Sequence, residues 1–65
     1  MNYGVCILSH IPCRSLPADS SEMVTQLLFG ETYSIIEETD RWTRINITHD
    51  GYECWICAKQ VQKIT

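Results

Sequence analysis

Sixty-five residues carrying a net charge of −3 make one small domain, residues 1–65. A chain this short buries only about 60% of its unfolded surface, which leaves little room for a deep catalytic cleft beside a core. The five basic residues, Arg14, Arg41, Arg44, Lys59 and Lys63, are scattered along the chain, which argues against nucleic acid or a basic membrane surface as partner.

In chain order, the opening "MNYGVCILSHIPC" has neither a basic flank nor an uninterrupted apolar stretch, so it does not read as a signal peptide. No apolar run approaches the roughly 18 residues of a membrane span. If Met1 is the natural start, a cytoplasmic location is favoured over a periplasmic or extracellular one. "YGVCIL" (3–8) alternates, with Tyr3, Val5 and Ile7 on one face and Gly4, Cys6 and Leu8 on the other. "SLPADSSE" (15–22) is loop chemistry, with Pro17, Asp19 and serines. "SSEMVTQLLFG" (20–30) is open to two readings. Ser20 as N-cap, Met23 and Leu27 at i and i+4, and Gly30 as terminator suit a helix; Phe29-Gly30-Glu31 suits a corner between strands equally well.

The remainder is β-chemistry. "ETYSIIEE" (31–38) places Tyr33 and Ile35 on one face, and "ETDR" (38–41) turns the chain. "WTRINIT" (42–48) sets Ile45 and Ile47 opposite Trp42, Arg44 and Asn46. "HDG" (49–51) is a hairpin signal, "YECWIC" (52–57) is the next strand, a 3₁₀ turn is expected near 58–60, and "VQKIT" (61–65) closes as a short strand. Several short strands in so small a chain predict an all-β barrel of five or six antiparallel strands. The predicted core is Val5, Val24, Leu27, Tyr33, Ile35, Ile45, Ile47, Ile56 and Val61.

Cys54 and Cys57 form a Cys-x-x-Cys pair, the spacing of zinc knuckles and redox couples. Their spacer, Trp55-Ile56, is strand-forming rather than turn-forming. Residues three apart in a strand point to opposite faces about 10 Å apart, beyond disulfide range and beyond a shared ion. The cysteines therefore read as small apolar residues. A cysteine-ligated zinc site is the alternative, and it requires that 52–57 not be a strand. No metal and no cofactor is expected.

"IPCRSLPADSSEMVTQLLFGETYSIIEE", then "RW", then "DGYECWI", resembles the bacterial SH3 domain, and in particular the one at the N-terminus of NlpC-like cell-wall cysteine peptidases. Cys13-Arg14-Ser15 with Pro17 resembles the family's V-R-S-x-P, which leads into its first long loop. The stretch from Thr25 to Glu31 resembles T-Q-x-L-x-G-E, and Asp50 to Ile56 resembles D-G-Y-x-G-W-I. The likeness spans roughly residues 3 to 62. It implies an SH3-like barrel, and with it a strand rather than a helix over 23–28. Cys54 stands where the family usually has glycine, a small residue at a small-residue site. Cys57 and Gln60 stand where eukaryotic SH3 domains carry the proline and tyrosine of their peptide groove. Of that groove's aromatic residues only Trp42 remains, which argues against a proline-rich-peptide function.

The peptidases of this family cleave the γ-D-glutamyl to diamino-acid bond with a cysteine and a histidine, in a separate catalytic domain. These 65 residues hold no such motif. His10, in a strand-to-strand connection, and His49, in the hairpin, read as turn residues, so no catalytic residue is assigned. The resemblance implies the N-terminal, non-catalytic part of a longer bacterial peptidase, packed against an NlpC-like catalytic domain. It further implies help in recognising the free N-terminus of L-Ala-γ-D-Glu-diamino-acid peptides. Recognition of an ammonium needs an anion and a hydrogen-bonding partner. The candidates are Glu31 and Tyr52, in the two best-matching motifs, with Trp42 as a stacking surface; Trp55 is expected to pack internally. A free-standing module that binds a protein or a cell-wall peptide is the alternative.

Overall fold

A computed structural model describes residues 2–64 of the chain. The elements are β1 (Asn2–Val5), β2 (His10–Arg14), β3 (Met23–Leu28), β4 (Thr32–Glu38), β5 (Trp42–Ile47) and β6 (Glu53–Cys57), followed by a 3₁₀ turn at Ala58–Gln60. All pairings are antiparallel, and the strands form one sheet in the order β1-β4-β5-β6-β2-β3. The sheet folds on itself around a single core of Cys6, Ile11, Cys13, Leu27, Tyr33, Ile45, Ile47, Cys54 and Ile56. Its two edges approach where Gly30 N–H donates to Cys6 O and Cys6 N–H donates to Glu31 O.

The chemistry of each element follows from which face it buries. In β5 the alternation is complete: Thr43, Ile45 and Ile47 are buried, and Trp42, Arg44 and Asn46 are half-buried on the other face. In β6 Cys54 and Ile56 face inward while Trp55 lies on the outer face. Its register sets Trp55 between Arg14 on β2 and Arg44 on β5, so it is half-buried rather than internal. Over 23–28 the chain is a strand. Leu27 is buried and Met23 is 53% exposed, so the i, i+4 pair does not share a helical face. The β3–β4 turn places Gly30 at φ +90°, and the β5–β6 hairpin places Gly51 at φ +71°, conformations that glycine adopts without strain.

Four expectations need correction. The strand expected over 3–8 ends at Val5, and its inward face is that of Gly4 and Cys6; Val5 is only half-buried. The cause is Tyr33, which stands opposite Gly4 in the β1–β4 register. Its buried ring occupies the space a Cβ at residue 4 would need, with Cε1 only 2.4 Å from that position. Residues 10–14 form a strand, so His10 begins β2 rather than lying in a connection. Pro12 is tolerated there because β2 bridges β6 only at Arg14, so its missing N–H costs no bond to that neighbour. The strand expected over 61–65 reduces to an isolated bridge, Gly4 to Lys63, flanked by Val5 N–H to Gln62 O and Ile64 N–H to Tyr3 O; Thr65 lies outside the described residues. Finally, Val24, Ile35 and Val61 pack against the core but are only partly buried, while Cys6, Ile11, Cys13, Thr43 and Cys54 are buried and were not in the predicted core.

Candidate functional site

The candidate residues divide between two ends of the barrel. At one end, Thr48 N–H donates to Thr32 O and Ile47 N–H donates to Tyr52 O. Glu31 and Tyr52 thus flank the same end of the β4–β5 pair, two strand spacings or about 10 Å apart. Trp42 begins β5 and Ile47 ends it, so Trp42 lies about 17 Å away at the opposite end.

At the first end the Glu31 carboxylate is held in place. Its Oε1 accepts the Leu28 N–H at 2.7 Å, closing the β3–β4 turn, and its second oxygen remains for another partner. Asp50 is fixed in a similar way, its Oδ1 accepting the Tyr52 N–H at 3.1 Å, and Asn46 Nδ2 donates to Gly51 O across the hairpin. The charges of Glu31 and Asp50 both bear on the buried Cys13 thiol, where each opposes ionisation. Tyr52 is 42% exposed. Ile7 and Leu8, next to Cys6, and Leu28 and Phe29, in the β3–β4 turn, surround this end as exposed apolar side chains; Phe29 is 73% exposed.

The opposite end carries a groove that the chain's patterning does not announce. Its two adjoining parts measure about 270 and 370 Å³ and share Asp19, Trp42, Cys57 and Lys59. Asp40 and Arg41 complete one part; Pro12, Arg14 and Gln60 complete the other. The walls are fixed locally. Thr39 Oγ1 accepts the Trp42 N–H at 3.0 Å, Ala58 N–H donates to Arg41 O, and Arg14 Nη1 donates to Ser21 O at the base of the 15–22 loop. Among the described residues the ion pairs are Arg44–Glu53 at 2.7 Å and Lys63–Glu38 at 3.1 Å, both elsewhere. Asp19, Asp40, Arg41 and Lys59 therefore line the groove with Trp42 as charges of both signs that have no ion-pair partner among the described residues. They come from three separate segments, which is why spacing along the sequence gives no signal for them.

The cysteines do not converge on an ion. Cys54 is buried and Cys57 half-buried on opposite faces of β6, as strand geometry requires. Among the described residues no three of the side-chain types that ligate metals cluster together. Cys6 donates to Leu8 O and Cys13 to Ile11 O. No described thiol is hydrogen-bonded to a histidine. Burial raises the Tyr33 hydroxyl above its ordinary value, although the Gln62 N–H it accepts works in the other direction.

A family model described as the bacterial dipeptidyl-peptidase SH3 domain matches residues 13–61, well over half of the chain. No curated protein and no solved structure matches this chain.

Proposed function

Because the chain belongs to the family of bacterial dipeptidyl-peptidase SH3 domains, we propose that it is the non-catalytic targeting and specificity module of a peptidoglycan-peptide cysteine endopeptidase. In this reading it packs beside an NlpC-like catalytic domain and helps recognise the free N-terminus of an L-Ala-γ-D-Glu-diamino-acid peptide. The observation that carries the reading is the carboxylate of Glu31, pinned through one oxygen and open through the other, at the same end as Asp50 and Tyr52. A pinned anion loses little conformational entropy on binding. A charge-assisted hydrogen bond from a peptide ammonium to it is worth roughly 1.5–3 kcal/mol. The Tyr52 hydroxyl supplies a neutral donor or acceptor at the same end of the barrel, about 10 Å away. The exposed Ile7, Leu8, Leu28 and Phe29 around this end suit a surface that a neighbouring domain covers.

Calorimetry with L-Ala-γ-D-Glu-diaminopimelate and its N-acetylated form tests the reading. Acetylation removes the ammonium charge, so the free peptide should bind at least about tenfold more tightly. Equal affinity for the two peptides would contradict it. The free-standing peptide-binding module is a second reading, favoured by the Trp42 groove with its unpaired charges of both signs. In that case Trp42→Ala abolishes binding and Glu31→Gln leaves it unchanged.

A further inference from the structure

Three of the four thiols are buried, and two of them meet. Arg14 on β2 stands opposite Trp55 on β6. One residue back on each strand gives Cys13 and Cys54, which therefore occupy the same inward face as diagonal neighbours across the pair. Both are essentially without solvent contact, at 0% and 2% exposure. Each thiol also shifts the ionisation of the other, in opposite directions. The other two cysteines have different surroundings. Cys6 donates to Leu8 O after the end of β1, and Cys57 lies on the opposite face of β6 in the Trp42 groove. The positions of the pair are also where this chain departs from two of its family-like motifs: Cys13 replaces the valine of V-R-S-x-P, and Cys54 replaces the glycine of D-G-Y-x-G-W-I.

We propose that Cys13 and Cys54 form a reversible dithiol–disulfide pair, an oxidation site whose closure by hydrogen peroxide locks β2 to β6. The chemistry proceeds in two balanced steps. The Cys13 thiolate attacks one peroxide oxygen and breaks the O–O bond; Cys13 becomes a sulfenic acid and the other oxygen leaves, with a proton, as water. The Cys54 sulfur then attacks the Cys13 sulfur, the S–O bond breaks, and the hydroxyl leaves with the Cys54 proton as a second water. The two thiols have lost two electrons and the peroxide has gained them. The order of roles follows from how each thiol shifts the other. Cys54 lowers the pKa of Cys13 against the opposing effect of burial, while Cys13, with burial, raises that of Cys54. Cys13 is thus the first to ionise and to react.

The geometry also says why the bond is reversible. Diagonal neighbours in an antiparallel pair have Cα atoms about 7–8 Å apart, just beyond the roughly 4.4–6.8 Å usual for a disulfide. Closure therefore draws the strands together, and a strained bridge is reduced more readily than a relaxed one. A small oxidant suits the site because both sulfurs are buried and are reached through local opening of the sheet.

The test treats the intact chain with hydrogen peroxide at low protein concentration and reads its mass and peptide map. The proposal expects a monomer that has lost two hydrogen atoms, with the residue-13 and residue-54 peptides joined and both parent masses restored by dithiothreitol. It also expects the thermal midpoint of the oxidised monomer to rise by about 10 °C, because a long loop is closed in the unfolded chain. The Cys57→Ser variant should behave identically. Oxidation confined to Cys57, a bridge involving Cys6, or sulfinic acid at Cys13 with Cys54 still free would each overturn the proposal.

Discussion

The contact between Gly4 and Tyr33 sets the inward face of β1, so replacing Gly4 by alanine tests the packing directly. A Cβ at this position would lie 2.4, 2.5 and 2.7 Å from Cε1, Cζ and Oη of Tyr33. Those atoms belong to a ring with 0% exposure, so the ring cannot turn into solvent without leaving the core. Overpacking of this kind costs about 1–3 kcal/mol. Displacing the hydroxyl from the Gln62 N–H, which it accepts at 3.4 Å, adds about 1 kcal/mol or less. Alanine stiffens the unfolded chain and returns about 0.4–1 kcal/mol. Gly4→Ala should therefore destabilise the domain by about 2 kcal/mol, which lowers the melting midpoint by roughly 8–16 °C in a domain of this size. Urea denaturation followed by tryptophan fluorescence measures the effect. A double-mutant cycle with Tyr33→Leu locates it, because removing the ring removes the clash and the two costs should fall well short of additive. A Gly4→Ala protein within about 0.5 kcal/mol of the parent, or strict additivity with Tyr33→Leu, would refute the packing argument.

Other outcomes follow from the same geometry. Glu31→Gln keeps an oxygen able to accept the Leu28 N–H, so it should shift stability by about 0.5 kcal/mol or less while weakening ammonium binding about tenfold; calorimetry and thermal melts separate the two. The Tyr33 hydroxyl has a raised pKa in the folded state. Its contribution is fully present below the unfolded value near pH 10 and is lost as pH rises through the higher folded value. Urea titrations from pH 8 to 11.5 should show that loss, and Tyr33→Phe should remove it. Under reducing conditions, Ellman's reagent should find one quickly reacting thiol, Cys57, and three whose reaction waits on opening of the fold; two or more fast thiols would contradict the burial described.

Much of the fold was legible because alternation survives where both strand neighbours are regular. In β5 the order Ile45, Ile47 against Trp42, Arg44, Asn46 names the two faces outright. The Asp50-Gly51 pair names its hairpin, and the family-like stretch from Thr25 to Glu31 settles a segment whose own pattern leaves helix and strand open. Legibility failed where one residue's environment depends on a distant one. Nothing near Gly4 says that a ring from β4 will lie against it, so the face of β1 was reversed. Pro12 hides β2, because a proline argues against a strand unless the weak pairing to β6 is known. The candidate site divides in the same way. Glu31 and Tyr52 lie in local motifs, so their choice as candidates needs no knowledge of the fold. The charges lining the Trp42 groove and the shared inward face of Cys13 and Cys54 arise only when separate segments meet.

The most direct test of the proposed function is an NMR titration of this domain with L-Ala-γ-D-Glu-diaminopimelate, following the backbone amides and the indole N–H of Trp42. The account predicts shifts confined to residues 28–31 and 50–52, lost on N-acetylation of the peptide, with the Trp42 signal unmoved. Shifts centred on Trp42, Lys59 and Asp19, with Glu31 and Tyr52 silent, would contradict it and move recognition to the groove.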